Sequence, residues 1–196
     1  MYTQFGWKNK GIPMAFRGNR GRYGSLAIAL HWVSAIAILV LLVLGFRAAN
    51  AADSGQRAAL LRLHVPLGTL VLFLTVTGLM WWLFDQKPDD PAGQQRWQTL
   101  TAHAVHALLY LALIVMGISG IGLLILSGAS EVLFFGASGP LPRFSDFPPM
   151  IVHAAGAFAI VALLCFHVGA ALYHQFYKRD HLLARMGIGS LGRQVR

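Results

Sequence analysis

Eight histidines are the residues in this chain whose type and spacing could do chemistry. They are His31, His64, His103, His106, His153, His167, His174 and His181. The first seven fall in long stretches free of Lys, Arg, Asp and Glu; His181 alone lies outside them. An imidazole can ligate a metal, carry a proton near neutral pH or hydrogen-bond between packed elements. His153 and His167 are fourteen residues apart. On a helix, fourteen steps miss whole turns by about 40°, so both rings point to one face, roughly 21 Å apart along the axis. One helix would then offer an imidazole near each end.

The elements that must position these side chains follow from composition. The chain has 196 residues, of which 56% are hydrophobic and only 12% charged. A typical soluble domain carries about 25% charged residues. With a mean hydropathy of +0.58, an ordinary cytosolic enzyme and a disordered chain are both excluded. Four windows hold no charge: 23–46, 63–84, 97–130 and 147–177. About 20 apolar residues suffice to cross the hydrocarbon core as a helix. Lipid cannot satisfy backbone polar groups, so these windows predict transmembrane helices near 26–46, 63–84, 101–127 and 150–177. Helices buried in a soluble bundle would keep polar faces, and these have almost none.

The stretches between read as loops: 47–62, 85–96 and 128–149. The last carries Phe134, Phe135, Phe144 and Phe147 and is expected in the membrane interface. The expectation is an all-α membrane protein with its domain at 23–180. It is flanked by a basic N-terminal arm, 1–22, read as a disordered or lipid-surface segment, and a basic C-terminal tail, 181–196.

The basic residues predict the orientation. The arm, the 85–96 segment and the residues from Lys178 onward carry twelve, and the other side carries only Arg47, Arg57, Arg62 and Arg143. The positive-inside rule then places both termini in the cytoplasm. The net charge of +9 reads as a topology signal with some attraction to anionic lipid, not as a nucleic-acid surface. The small residues of RAANAAD (47–53) would suit a signal-peptidase site. The preceding apolar run is longer than the 7–15 residues of a signal core and contains His31, so it is expected to be retained.

With alternating helix directions, His64 and His153 fall in the outer half of the membrane. His31, His103, His106 and His167 fall in the inner half, and His174 falls at the inner boundary. His64 can meet His153, and His31 can meet His167. Each pair is a clamp of two imidazoles. Zinc prefers four ligands, and no carboxylate lies at depth. Two neutral imidazoles suit the axial positions of haem iron, and small residues near each ligand leave room for a flat macrocycle. The single cysteine, Cys165, excludes both a disulfide framework and covalent CxxCH attachment. Two stacked, non-covalent b-type haems are the expected cofactors, with metal ligation by His31, His64, His153 and His167. Interhelical hydrogen bonding and a proton relay are the competing roles, and they weigh more for His103, His106 and His174.

RYGSLAIALHWVSAIAILVLLVLGF (22–46) resembles the opening of the bacterial cytochrome b561 family, itself similar to the cytochrome b subunits of nickel–iron hydrogenases and formate dehydrogenases. The resemblance continues through LLRLHVPLG, TAHAVHALLYLALIVMGISG and FHVGAALYHQFYKRDHLLARM, over about residues 22–186. It implies a four-helix bundle in the bacterial inner membrane holding two b haems, with ligands from the first, second and fourth spans. It also implies electron transfer between a quinone pool and a periplasmic-side donor or acceptor, superoxide among them. Family members often carry arginines toward the inner end of the second span, where this chain has Gly78 and Trp82 in TVTGLMWWLFD. Inner-haem propionates are then expected against Arg20, Arg22, Lys178 or Arg179.

Two redox roles fit: a self-standing oxidoreductase, or a haem-bearing anchor or relay subunit for a separate dehydrogenase, hydrogenase or periplasmic cytochrome. A metal or proton transporter would need carboxylates in the membrane. Quinone reduction also needs a proton. His174, about two turns past His167, is the candidate proton carrier or quinone contact, with His103 and His106 candidates for the inner haem or the same pocket. Ser34, Thr69 and Thr101 are hydroxyls available to orient ligands.

Overall fold

The computed structural model describes residues 16–90, 93–180 and 182–189. Most of the basic arm, His181 and the end of the tail therefore lie outside the described residues.

The chain folds as four long helices with short helical pieces between and after them. These are α1 (Ser25–Ala49), α2 (Ser54–Phe84), α3 (Arg96–Ser127), the short α4 (Ala129–Phe134), α5 (Pro149–Tyr173) and the short α6 (Leu182–Arg185). A 3-10 turn covers Phe144–Asp146, and a π turn, His174–Lys178, extends α5. All four long helices are long and apolar enough to cross a membrane. Large side chains such as Phe73, Ile151 and Phe166 point outward, as they must where the solvent is lipid.

The helices outrun the charge-free windows. α2 begins at Ser54, so most of 47–62 is helix and not loop. Asp53 starts it by accepting a hydrogen bond from Gln56 N at 2.6 Å. The run AALL that follows favours helix wherever it lies. Lack of charge marks depth in lipid, whereas caps mark helix ends. α3 likewise starts at Arg96 behind a reciprocal cap between Gln95 and Gln98, and it ends at Gly128 with φ 65°. α4 then occupies part of the segment read as an interfacial loop.

α1 packs along α2 and α3 along α5, and α2 against α3 joins the two pairs. The buried core is small: Ala37, Ile38, Val71 and Ile160, packed round by Leu41, Leu67, Leu113 and Met116 among others. Its placement follows the histidines. Ile38, Val71 and Ile160 each lie seven residues from a histidine (His31, His64, and both His153 and His167). Seven residues is close to two turns, so core and histidines share faces, and the core lies roughly 10 Å along the axis from each histidine layer. It forms an apolar plug between them. Thr75, buried beside it, gives its hydroxyl to Val71 O at 2.7 Å and leaves no unpaired donor.

The end of the bundle where α1 begins and α5 ends is covered by a hydrogen-bonded layer. Gly18 N donates to the Asp85 carboxylate at 3.0 Å, and Asp89 N to Arg20 O at 2.9 Å. Arg185 donates to Asp89 O at 2.5 Å, and Trp32 Nε1 to Met186 O at 2.9 Å. The segment before α1, the α2–α3 link and α6 are thereby tied together. Burial pushes the Tyr23 phenol in this layer above its ordinary pKa, with Arg185 pulling it down and Asp90 pushing it up.

Candidate functional site

Two pairs of imidazoles lie on opposite sides of the apolar plug. The rings of His64 (α2) and His153 (α5) have centres 6.2 Å apart with planes at 71°. Those of His31 (α1) and His167 (α5) are 6.1 Å apart at 53°. An imidazole–metal bond is about 2.0 Å, and a ring centre lies about 1.1 Å beyond its donor nitrogen. Two imidazoles on opposite sides of one iron therefore have centres roughly 6.2 Å apart. Both spacings fit that requirement.

The donor set fits as well. Among the described residues, no group of three or more His, Cys, Asp or Glu gathers at metal-binding distance. A site of two imidazoles completes its coordination when the remaining positions come with the ligand, as the four pyrrole nitrogens of haem do. Glycines make room for the rings. A Cβ on Gly45 would stand 3.1 Å from His64 Cε1, and one on Gly120 would stand 3.3 Å from His153 Cε1. His64 Nδ1 is buried with no hydrogen-bond partner among the described residues.

His153 is oriented by a residue that sequence reasoning missed. Ser119 Oγ, on α3, donates to Met116 O at 2.9 Å and lies 3.0 Å from His153 Nδ1. When the hydroxyl gives its one proton to Met116 O, Oγ is left to accept from His153 Nδ1–H. That leaves the Nε2 lone pair free for a metal. The available signal was the pattern G-I-S-G, Gly117 to Gly120, which sets a lone hydroxyl between glycines in an apolar helix. Of the hydroxyls named from sequence, Thr69 turns back onto Val65 O at 3.0 Å and orients nothing outside its own helix. If the His64–His153 pair holds a haem, Ser119→Ala is expected to weaken its retention by about 10- to 100-fold while the other pair is unaffected. Haem transfer to apomyoglobin, followed by absorbance, measures this.

The second pair is built differently. His31 meets the Trp32 ring edge-on at 5.2 Å, and Trp32 is tied to Met186. His106 lies 5.1 Å from His167, closer than two ligands on opposite sides of one metal can be. It stands against the His167 ring as a neighbour and remains exposed on its other sides. His103, three residues earlier, is exposed. His174 belongs to neither pair. Its Nδ1 lies 2.5 Å from Asp180 Oδ2, and its ring meets Tyr173 at 5.8 Å. Of the basic residues expected near propionates, Arg20 and Arg22 sit in the covering layer before α1, and Lys178 and Arg179 close the π turn.

Comparison with known proteins assigns the chain to a family. The family described as prokaryotic cytochrome b561 matches residues 22–189. Cytochrome b561 homolog 2 of Escherichia coli (strain K12) is 27% identical over 186 residues, covering 88% of this chain and 95% of that protein. Cytochrome b561 homolog 1 of the same organism is 26% identical over 172 residues, covering 84% and 96%. With four membrane-length helices and a match over most of its length, the chain belongs to the prokaryotic cytochrome b561 family and is a bacterial membrane cytochrome b of electron transfer that uses b-type haem.

Proposed function

We propose that this chain binds two b-type haems and carries electrons between a quinone pool and a donor or acceptor on the periplasmic side of the inner membrane. The observation behind this reading is the pair of imidazole spacings, 6.1 and 6.2 Å, on either side of an apolar plug. His64 and His153 would hold the outer haem, and His31 and His167 the inner one. When bound, haem supplies one-electron chemistry at iron. The chain's own residues do the rest. Ser119 holds His153 in the tautomer that leaves Nε2 for the metal. Gly45 and Gly120 let the rings of the outer pair seat. The Ile38, Val71 and Ile160 plug keeps water out between the layers. The positive-inside balance orients the termini and the covering layer toward the cytoplasm, which makes the His31–His167 pair the inner one.

His174 would serve quinone chemistry as proton carrier, with His106 and His103 on the same side. Superoxide would be one such small periplasmic donor. A pyridine haemochrome assay on purified protein tests the stoichiometry. Two b haems per chain, extractable by acid acetone, are expected. A folded protein carrying one haem or none would overturn the reading.

A further inference from the structure

Three unusual features coincide in seven residues past the end of α5. The helix widens into a π turn over His174–Lys178. Arg179 adopts φ 56°, the one positive φ of a non-glycine residue among those described. The chain thereby folds back, and Asp180 N reaches His174 O at 3.4 Å while Asp180 Oδ2 reaches His174 Nδ1 at 2.5 Å. Left-handed backbone at a non-glycine residue costs of order 1 kcal/mol and persists where the surroundings require it; π turns cluster at functional sites. The His174 and Asp180 side chains are only 14% and 22% exposed, so water competes little for this contact.

We propose that Asp180 is a positioning residue that fixes the proton of His174 on Nδ1 and so reserves Nε2 for proton exchange with a quinone. A carboxylate only accepts, so its partner nitrogen must carry hydrogen in both the neutral and the protonated imidazole. This leaves Nε2 as the ring nitrogen that gains and loses a proton, the logic by which a buried carboxylate orients a catalytic imidazole. The proposal rests on the reading of His174 as the proton carrier in quinone chemistry. Reducing a quinone to a hydroquinone takes two electrons and two protons. The electrons come from the haem chain proposed above. One proton passes from His174 Nε2–H to a quinone oxygen, breaking the N–H bond and forming an O–H bond. The imidazole, neutral and still bonded to Asp180 through Nδ1–H, takes a replacement from water at the membrane surface. The second proton is not assigned to this pair.

Full-length haem-loaded protein, labelled with 15N-histidine and fully reduced to keep the iron diamagnetic, gives the tautomer directly by nitrogen–proton correlation spectra. His174→Phe identifies the His174 signals. The wild type is expected to show Nδ1–H, and Asp180→Ala to shift His174 toward Nε2–H with both haem spectra intact. Haem reoxidation by a soluble quinone analogue is expected to slow about 10-fold in Asp180→Ala and to recover in part in Asp180→Glu. An unchanged tautomer in Asp180→Ala overturns the proposal. If the tautomer shifts and His174→Phe leaves quinone kinetics unchanged, the proton role of His174 fails while the pairing with Asp180 stands.

Discussion

His153→Ala is expected to reduce the haem content from two per chain to one, and to remove the same absorbance component that His64→Ala removes. His31→Ala and His167→Ala are expected to remove the other. The effect is large because, in the proposed arrangement, each haem would have only two protein ligands, and losing one would leave a single imidazole. The double variants sharpen the test. His64→Ala with His153→Ala should lose no more haem than either alone, because both act on one site. His64→Ala with His167→Ala should lose both haems. The geometry that motivates this is the spacing of 6.2 Å within one pair and 6.1 Å within the other. His106→Ala probes the closest alternative, since that ring lies 5.1 Å from His167. It is expected to leave haem content unchanged. Loss of a haem in His106→Ala with retention in His31→Ala would replace His31 by His106 as the ligand. Low-temperature reduced-minus-oxidised spectra with haem counting measure each case.

His174→Phe is expected to keep both haems and to slow electron exchange with a quinone analogue by about 100-fold. That is the lower end of what a positioned proton donor or acceptor contributes. Phenylalanine fills the same space without a titrating nitrogen, so the change tests the proton and not the packing. Reduction of the haems by a periplasmic-side donor is expected to survive, because His174 lies about two turns beyond His167 and farther still from the His64–His153 pair. Stopped-flow reduction and reoxidation in proteoliposomes separate the two half-reactions. Unchanged quinone kinetics would remove His174 from the reaction, and loss of a haem would make it structural.

Much of the architecture was legible in one dimension. Absence of charge over about 20 residues is a property of sequence that lipid enforces, so the four spans could be read without knowing their neighbours. Helix ends were less legible, because Asp53 and the Gln95–Gln98 cap extend α2 and α3 well past the apolar windows into the interface. The Gly-, Pro- and Phe-rich segment after α3 concealed the six residues of α4. A run that short shows no helical period by which to recognise it.

The histidines divide along the same line. The helical repeat and the thickness of the membrane determine depth and face, so His153 and His167 announce themselves as one stripe on one helix. The same repeat puts Ile38, Val71 and Ile160 between the two layers. Which side chain stands beside a given imidazole depends on how neighbouring helices are rotated and how closely they approach. Only the tertiary structure decides that Ser119 of α3 reaches His153, that Gly45 of α1 backs His64, and that His106 stands against His167. The return of Asp180 onto His174 needs a π turn and a left-handed Arg179, which local propensity disfavours and packing must hold in place. Periodicity and solvent act along the chain and can be read from it; lateral contacts arise from the fit between helices, which no single segment contains.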